Sequence, residues 1–394
     1  MKHLAILSGS DIRTYGGGEK YVIELVKRLK KFDKTVYSFV DKDNIRFNNK
    51  EIKNMLKAKL IYYNTLKIPL ILKRSVPLTL SGLHMLNQVC KCDTVYIMYP
   101  SAPIILMILL YTKLKKSKAK IIFGVHNPDF INMLAGNNQE NIPIKNIIKQ
   151  FHALIYKKTF FKVPNIHVLN DSDQKMLKKY GYKGNIYKIP NFLYYKKSNI
   201  KVRYNKSKFI VLFGGRLAIY QKGIDLLINI IKKVTDKNKN IEFQIFGSGE
   251  DGQELIENLS KGYKNVKYLG FISDSDLEKE YKNSSLYIMT SRIEAFPSVI
   301  LEAQAHGLPV IAFGINGPKD AITSFSGSII KSFDVDAFAN EILRYYYLWK
   351  DDKLDSRYKN RIVDYIFSKY SDKIIIPKIQ KMFMDKSVIR LGHK

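Results

Sequence analysis

The sequence predicts an α/β protein of two units, each a parallel sheet with helices on both faces. Three observations carry that reading. Strand-like and helix-like runs alternate along most of the 394 residues, as they do when crossover helices join parallel strands. Strands run directly into glycine turns, at Gly214 and Gly215 and again at Gly247. The stretch 191–207 is polar, basic and without period, and the alternation restarts cleanly after it. The chain is long enough for two domains of ordinary size, so the expected division is 1–190, a linker at 191–207, and 208–371. Two such units leave a cleft, and ligands of open α/β sheets bind outside the carboxyl ends of the strands.

In the first unit, residues 4–8 read as a strand. A helix follows over 19–31, with Val22, Ile23, Leu25, Val26 and Leu29 on its apolar side. Strands are expected at 35–40, 93–98, 120–125 and 166–169. The apolar run from Ile97 to Tyr111 is broken by Pro100 and Pro103 and falls short of the roughly 20 residues that span a bilayer. Residues 103–115 therefore read as a buried helix, with an interfacial helix as the other reading. Residues 42–90 show helical patches but no clear period.

In the second unit the strands are expected at 209–213, 241–246, 266–269, 286–290 and 308–313. The helices are expected at 223–234, 252–259, 275–283 and 297–306. Pro297 suits the first helical position, where its missing N–H goes unused. Gly307 suits the stop. Glu294 falls in the loop before that last helix. Glu302 falls inside it, among Val299, Ile300, Leu301 and Ala303. A carboxylate in so apolar a helix is costly without hydrogen-bond partners. Sugar hydroxyls are one set of partners, and water on an exposed face is the other.

Composition excludes some classes. A hydrophobic content of 46% is that of a folded globular chain. Two cysteines, Cys90 and Cys92, are too few for a disulfide framework and lack partners for a zinc cluster. The short apolar run after Met1 reads as a first strand rather than a signal peptide. Both points fit a cytoplasmic protein. The net charge of +31 is uneven, because residues 1–200 hold 35 Lys and Arg against 12 Asp and Glu. That asymmetry suggests an anionic partner for the first half, either nucleic acid or an acidic membrane leaflet. A solvated basic surface without a partner is the plain alternative.

Four motifs carry chemistry. Gly16, Gly17 and Gly18 follow the first strand and open a helix, where backbone amides favour an anion. A plain tight turn has the same composition. Arg216 and Lys222 flank a strand-to-helix loop, and two cations with a helix dipole make a diphosphate site that needs no metal. Gly247 and Ser248 form another glycine turn, suited to backbone contact with a base or ribose. His126 ends the strand 120–125 and can face the cleft, although a lone histidine is often structural.

The order and spacing of these motifs resemble the retaining GT-B glycosyltransferases of family 4, the glycogen-synthase-like group. The likeness covers nearly the whole chain and is densest over 209–325. It rests on the loop and helix from Gly16 to Leu29, on Arg216 and Lys222, on Glu294 and Glu302 as an E-x7-E pair, and on Asn316, Gly317 and Pro318 beyond. The resemblance implies two Rossmann-like domains facing across a cleft, with a helix at about 372–394 crossing back to the first. It implies that Arg216 and Lys222 hold a donor diphosphate, Glu294 the donor sugar and Glu302 the ribose. Backbone at Phe296, Pro297 and Ser298 would face sugar and phosphate, with Pro297 costing one amide donor. Gly17 would lie near the phosphates, and His126 would place the sugar ring.

The implied activity is hexose transfer, with retention, from a UDP- or GDP-sugar to a glycan or lipid-linked acceptor at a cytoplasmic membrane face. No tightly bound cofactor or metal, and no nucleic acid, is expected. The same fold also supports an epimerase, hydrolase or phosphorylase, or a non-catalytic basic binding protein.

Overall fold

The computed structural model describes residues 1–40, 45–67, 75–76, 79–98, 102–126, 158–200, 202–249, 251–331 and 333–385. The chain divides into two compact units, Met1–Pro190 with Ile375–Lys394, and Asn191–Ile374.

The first unit begins with β1 (Lys2–Leu7), α1 (Gly17–Arg28), β2 (Phe32–Phe39), α2 (Asn49–Leu56) and β3 (Lys59–Tyr63). A short antiparallel ribbon, β4 (Leu66–Lys67) and β5 (Ser75–Val76), leads to α3 (Leu80–Val89). Then come β6 (Thr94–Met98), α4 (Ala102–Leu114), β7 (Lys120–Val125), β8 (Asn165–Val168), α5 (Asp171–Lys179) and β9 (Asn185–Lys188). Seven strands form one parallel sheet in the order β3-β2-β1-β6-β7-β8-β9. The central strands β6 and β7 are buried along their whole length, as expected of a parallel sheet covered on both faces.

Local chemistry explains where this unit departs from the sequence reading. Helix α1 starts at Gly17, two residues early, with its first turn closed by the Lys20 amide donating to Gly16 O at 2.9 Å. Within 42–90, α2 is fixed by a capping box in which Asn48 Oδ1 accepts from Lys50 and Glu51, and Glu51 accepts from the Asn48 amide. Residues 42–44, 68–74 and 77–78 of that stretch lie outside the described residues. Helix α4 is not buried all round. Ile105, Ile108 and Leu109 face the core, while Leu106, Leu110 and Leu114 are 42%, 51% and 79% exposed. Only one side of this uniformly apolar helix meets the sheet.

The second unit repeats the plan. It contains β10 (Phe209–Gly214), α6 (Ile219–Lys222), α7 (Ile224–Lys237), β11 (Ile241–Phe246), α8 (Gln253–Gly262), β12 (Val266–Gly270) and α9 (Asp274–Asn283). Next are β13 (Leu286–Met289), α10 (Ser298–Ala305), β14 (Val310–Phe313), α11 (Pro318–Ala321) and β15 (Gly327–Ile330). Helices α12 (Val335–Lys350), α13 (Ser356–Tyr370) and α14 (Asp372–Met384) close the chain. The six strands are parallel, in the order β12-β11-β10-β13-β14-β15.

Pro297 is the N-cap of α10 rather than its first helical residue, because its ψ of 114° is extended. The stretch 191–207, expected as a featureless linker, is fastened to this unit. The Leu193 amide donates to Tyr370 O at 2.7 Å, and Trp349 Nε1 donates to Asn205 O at 2.7 Å. Most of α14 belongs to the first unit, and residues 386–394 of the expected crossing segment lie outside the described residues.

Candidate functional site

In both sheets the strand order reverses at the unit's first strand. In the second unit β10 has β11 on one side and β13 on the other, so the connections leave on opposite faces and a crevice opens at their carboxyl ends. Arg216 and Lys222 follow β10, and Glu294 follows β13, so all three stand at that reversal.

Lys222 Nζ lies 2.5 Å from Glu294 Oε1, and Ser291 Oγ donates to the same oxygen at 2.9 Å. Both side chains of the ion pair are largely buried. Arg216 is exposed, and its guanidinium donates to Gln221 Oε1 on the same loop. The backbone brings the two loops together. Thr290 Oγ1 donates to Lys222 O at 2.9 Å. Gly223 has φ +66°, and a Cβ there would stand 2.2 Å from Thr290 O. Only glycine allows so close an approach in that conformation.

Glu302 lies one step deeper and is 5% exposed. Tyr281 Oη donates to its Oε2 at 3.4 Å. Burial, and then the Glu302 charge, push the Tyr281 and Tyr287 phenols far above their ordinary range. The Glu294 charge also bears on Tyr287, whose Oη donates to Gly214 O at 3.0 Å. Tyr287 is thus the common neighbour of both carboxylates and of the end of β10.

The remaining residues of the second unit frame this centre. Gly247 donates its amide to Gly270 O at 2.8 Å, and Ser248 O accepts from the Leu217 amide at 2.9 Å, so the turn after β11 is zipped to the loop after β10. Phe296 is buried, and its carbonyl accepts from Asn191 Nδ2 at 2.8 Å. Ser298 opens α10 and takes a longer bond from the same amide.

The first unit holds the other three. Gly16 caps α1 and Gly17 opens it. Beside this N-terminus lies the Glu19 carboxyl, whose Oε2 would stand 2.7 Å from a Cβ on Gly16, and burial holds that carboxyl above its usual range. His126 directly follows β7 and is buried against Tyr21, at 4.9 Å between ring centroids, with Tyr96 Oη 2.7 Å from its Nε2.

Four residues escaped the sequence reading. Arg292 clamps Asp225 through two bonds of 2.7 and 2.6 Å, and it also reaches the carbonyls of Ile219 and Tyr220 at 3.3 Å. Its own amide donates to Gln221 O at 2.9 Å. Arg292 therefore staples the Arg216–Lys222 loop to the Glu294 loop. Gln221 and Tyr287 complete the set. A signal existed in the Arg two places before Glu294 and the Asp in the first turn of a helix, but their partnership is visible only once β10 and β13 are paired.

Residues 196–362, most of the second unit, match the family described as Glycosyl transferases group 1. The two-unit α/β fold is that of the GT-B glycosyltransferases. The chain is 37% identical over 116 residues to an uncharacterized glycosyltransferase of Methanocaldococcus jannaschii, covering 29% of each. It is 25% identical over 251 residues to the poly(ribitol-phosphate) alpha-N-acetylglucosaminyltransferase of Staphylococcus aureus, covering 63% of this chain and 49% of that one. These matches span less than half of either relative's own length. Anabaena HepE, solved in complex with UDP-glucose, superposes with a TM-score of 0.72 at 15% identity, over 97% of this chain and 99% of that one.

Proposed function

We propose that the protein transfers a hexose from a nucleotide-diphospho sugar to a hydroxyl of a glycan or lipid-linked acceptor, with retention at the anomeric carbon. The observation that carries this is the pairing of Lys222 with Glu294 where β10 meets β13, with Arg216 exposed on the adjoining loop. Arg216 and Lys222 hold the diphosphate. Glu294 takes the sugar hydroxyls and hands part of its lysine to the phosphates when the donor arrives. Glu302 takes the ribose hydroxyls, and the backbone at Phe296 and Ser298, with Gly247 and Ser248, borders the nucleotide. His126 orients the sugar ring.

In the reaction the anomeric C–O bond to the diphosphate breaks, and the acceptor oxygen bonds to the same face of that carbon. The acceptor proton passes to the departing diphosphate oxygen. The cations stabilise the negative charge that develops there. UDP is the first nucleotide to test, in view of the HepE complex.

A second observation bears on the acceptor. The outward Leu106, Leu110 and Leu114 run along α4 at helical spacing, with exposed Lys113 in its last turn and exposed Lys115, Lys116 and Lys118 just beyond. An apolar stripe ending in a basic cluster fits an anionic lipid surface. A lipid-linked acceptor fits this reading.

The test is a thermal-shift screen of UDP-, GDP- and ADP-sugars, followed by turnover with a membrane extract. One nucleotide should raise the melting temperature, and Lys222→Ala or Arg216→Ala should remove that rise. A donor that binds the alanine variants unchanged refutes the site. Product formed without acceptor, or only with inorganic phosphate, replaces transfer by hydrolysis or phosphorolysis.

A further inference from the structure

Two exposed aromatic rings of the second unit share one guanidinium. Tyr220 stands in α6 after β10, and Phe333 follows β15; they are 58% and 43% exposed. Arg292, which follows β13, places its Cζ 5.7 Å from the Tyr220 ring centroid and 5.8 Å from that of Phe333. Phe313, buried at the end of β14, meets the Phe333 ring edge-on at 5.6 Å. The carboxyl ends of four strands thus build this surface.

Two features set it apart from an ordinary loop surface. Phe333 has φ +62°, a left-handed conformation that glycine adopts freely and a bulky side chain rarely does. Strain of this kind persists only where the surroundings hold it, and it clusters at ligand sites. The charge among the rings is also balanced. Two bonds of 2.7 and 2.6 Å join the Arg292 guanidinium to the Asp225 carboxylate, and the Asp225 side chain stays partly exposed.

These features select among ligands. A balanced ion pair gives a phosphate no net attraction, and an ion pair against both rings interrupts the apolar strip that a lipid chain or an amphipathic helix needs. A pyranose matches both parts. Its C–H faces pack on aromatic rings, and its hydroxyls donate to the carboxylate lone pairs that Arg292 leaves open.

We propose that Tyr220, Phe333 and the Arg292–Asp225 pair form a binding surface for a neutral oligosaccharide, beside the crevice that takes the diphosphate. Its role rests on the sugar-transfer reading: it holds the non-reacting units of a glycan acceptor. The binding itself does not depend on that reading.

The test titrates the full chain, without nucleotide, with maltohexaose, cellohexaose and chitohexaose, followed by calorimetry and saturation-transfer NMR. At least one should bind and receive saturation at its C–H protons, and Phe333→Gly and Tyr220→Ala should each weaken it at least about tenfold. Phe333→Gly removes the ring and the left-handed strain together, so its melting temperature should stay within about two degrees of wild type or rise. Should that variant fail to fold, Tyr220→Ala decides. No binding of any of the three, or binding unchanged in both variants, overturns the proposal. So does a heparin hexasaccharide that displaces them more strongly than any neutral one does. Failure of every nucleotide sugar to bind the wild type would end the transfer reading and leave the oligosaccharide result to stand or fall by itself.

Discussion

Replacing Arg292 with alanine removes the side-chain half of the staple between the β10 and β13 loops and leaves its backbone half, the amide bond to Gln221 O, in place. The guanidinium makes two charge-assisted bonds to Asp225, at 2.7 and 2.6 Å. A shielded pair of that geometry contributes about 1.5–3 kcal/mol. Asp225 is 42% exposed along its side chain, so solvent screening lowers the expected coupling to about 1 kcal/mol. A double-mutant cycle of Arg292→Ala with Asp225→Ala, read by urea unfolding near pH 7, should return that value. The hydrogen bond from Arg292 holds the Asp225 carboxyl below its ordinary value of 3.8. The stabilisation is therefore complete above about pH 4 and is lost as pH falls through the lowered native value. Repeating the cycle at pH 3 should shrink the coupling. Nucleotide affinity should drop about three- to tenfold in Arg292→Ala, because the Arg216–Lys222 loop loses its anchor. A coupling near zero, or unchanged nucleotide affinity at full loss of the pair, refutes the positioning role.

Other outcomes are equally direct. Gly223→Ala should lose at least about 2 kcal/mol in urea unfolding, since the new methyl meets Thr290 O at 2.2 Å in a left-handed turn. Glu294→Gln should lower kcat at least about tenfold in the transfer assay while the fold melts within a few degrees of wild type. Lys359 is buried, donates to the carbonyls of Arg203 and Ser284, and is pulled down by burial from 10.5 to about 8. Between those values the unfolded chain binds more protons, so wild-type stability should rise with pH by up to about 3 kcal/mol relative to Lys359→Met, measured by urea unfolding at pH 7.5 and pH 10. Leu106→Asn with Leu110→Asn should abolish co-sedimentation with vesicles containing phosphatidylglycerol and leave nucleotide binding unchanged.

Much of the fold was legible because parallel strands buried on both faces read as short apolar runs between helices. Glycine turns marked the ends of β10 and β11, and these two strands and β13 were placed within one or two residues. The cationic pair and the two acids were legible as motifs, and Lys222 with Glu294 is a contact that strand pairing creates. What stayed hidden depends on tertiary neighbours. Arg292 and Asp225 look like ordinary surface charges until the reversal of strand order brings their loops together. Tyr96 and His167 look like core residues of two strands, and only β7 between them brings Tyr96 Oη within 2.7 Å of both His126 Nε2 and His167 Nδ1. Helix α2 was missed despite a local signal, the Asn48 and Glu51 capping box. Helix α4 was read as buried because an apolar run alone does not tell how many of its sides a sheet covers.

The return of α14 to the first unit sets the order in which that unit is completed. Phe383 packs edge-on against Phe32 and Tyr96, Thr94 Oγ1 donates to Phe383 O, and Lys120 donates to the carbonyls of Met382 and Asp385. These are among the last described residues, yet they brace the strands translated early. The first unit therefore waits for its back wall until all of the second unit through α13 has been translated. A nonsense codon after Ile374 would spare every residue of the cationic loop and still strip the support from behind the Tyr96 ring.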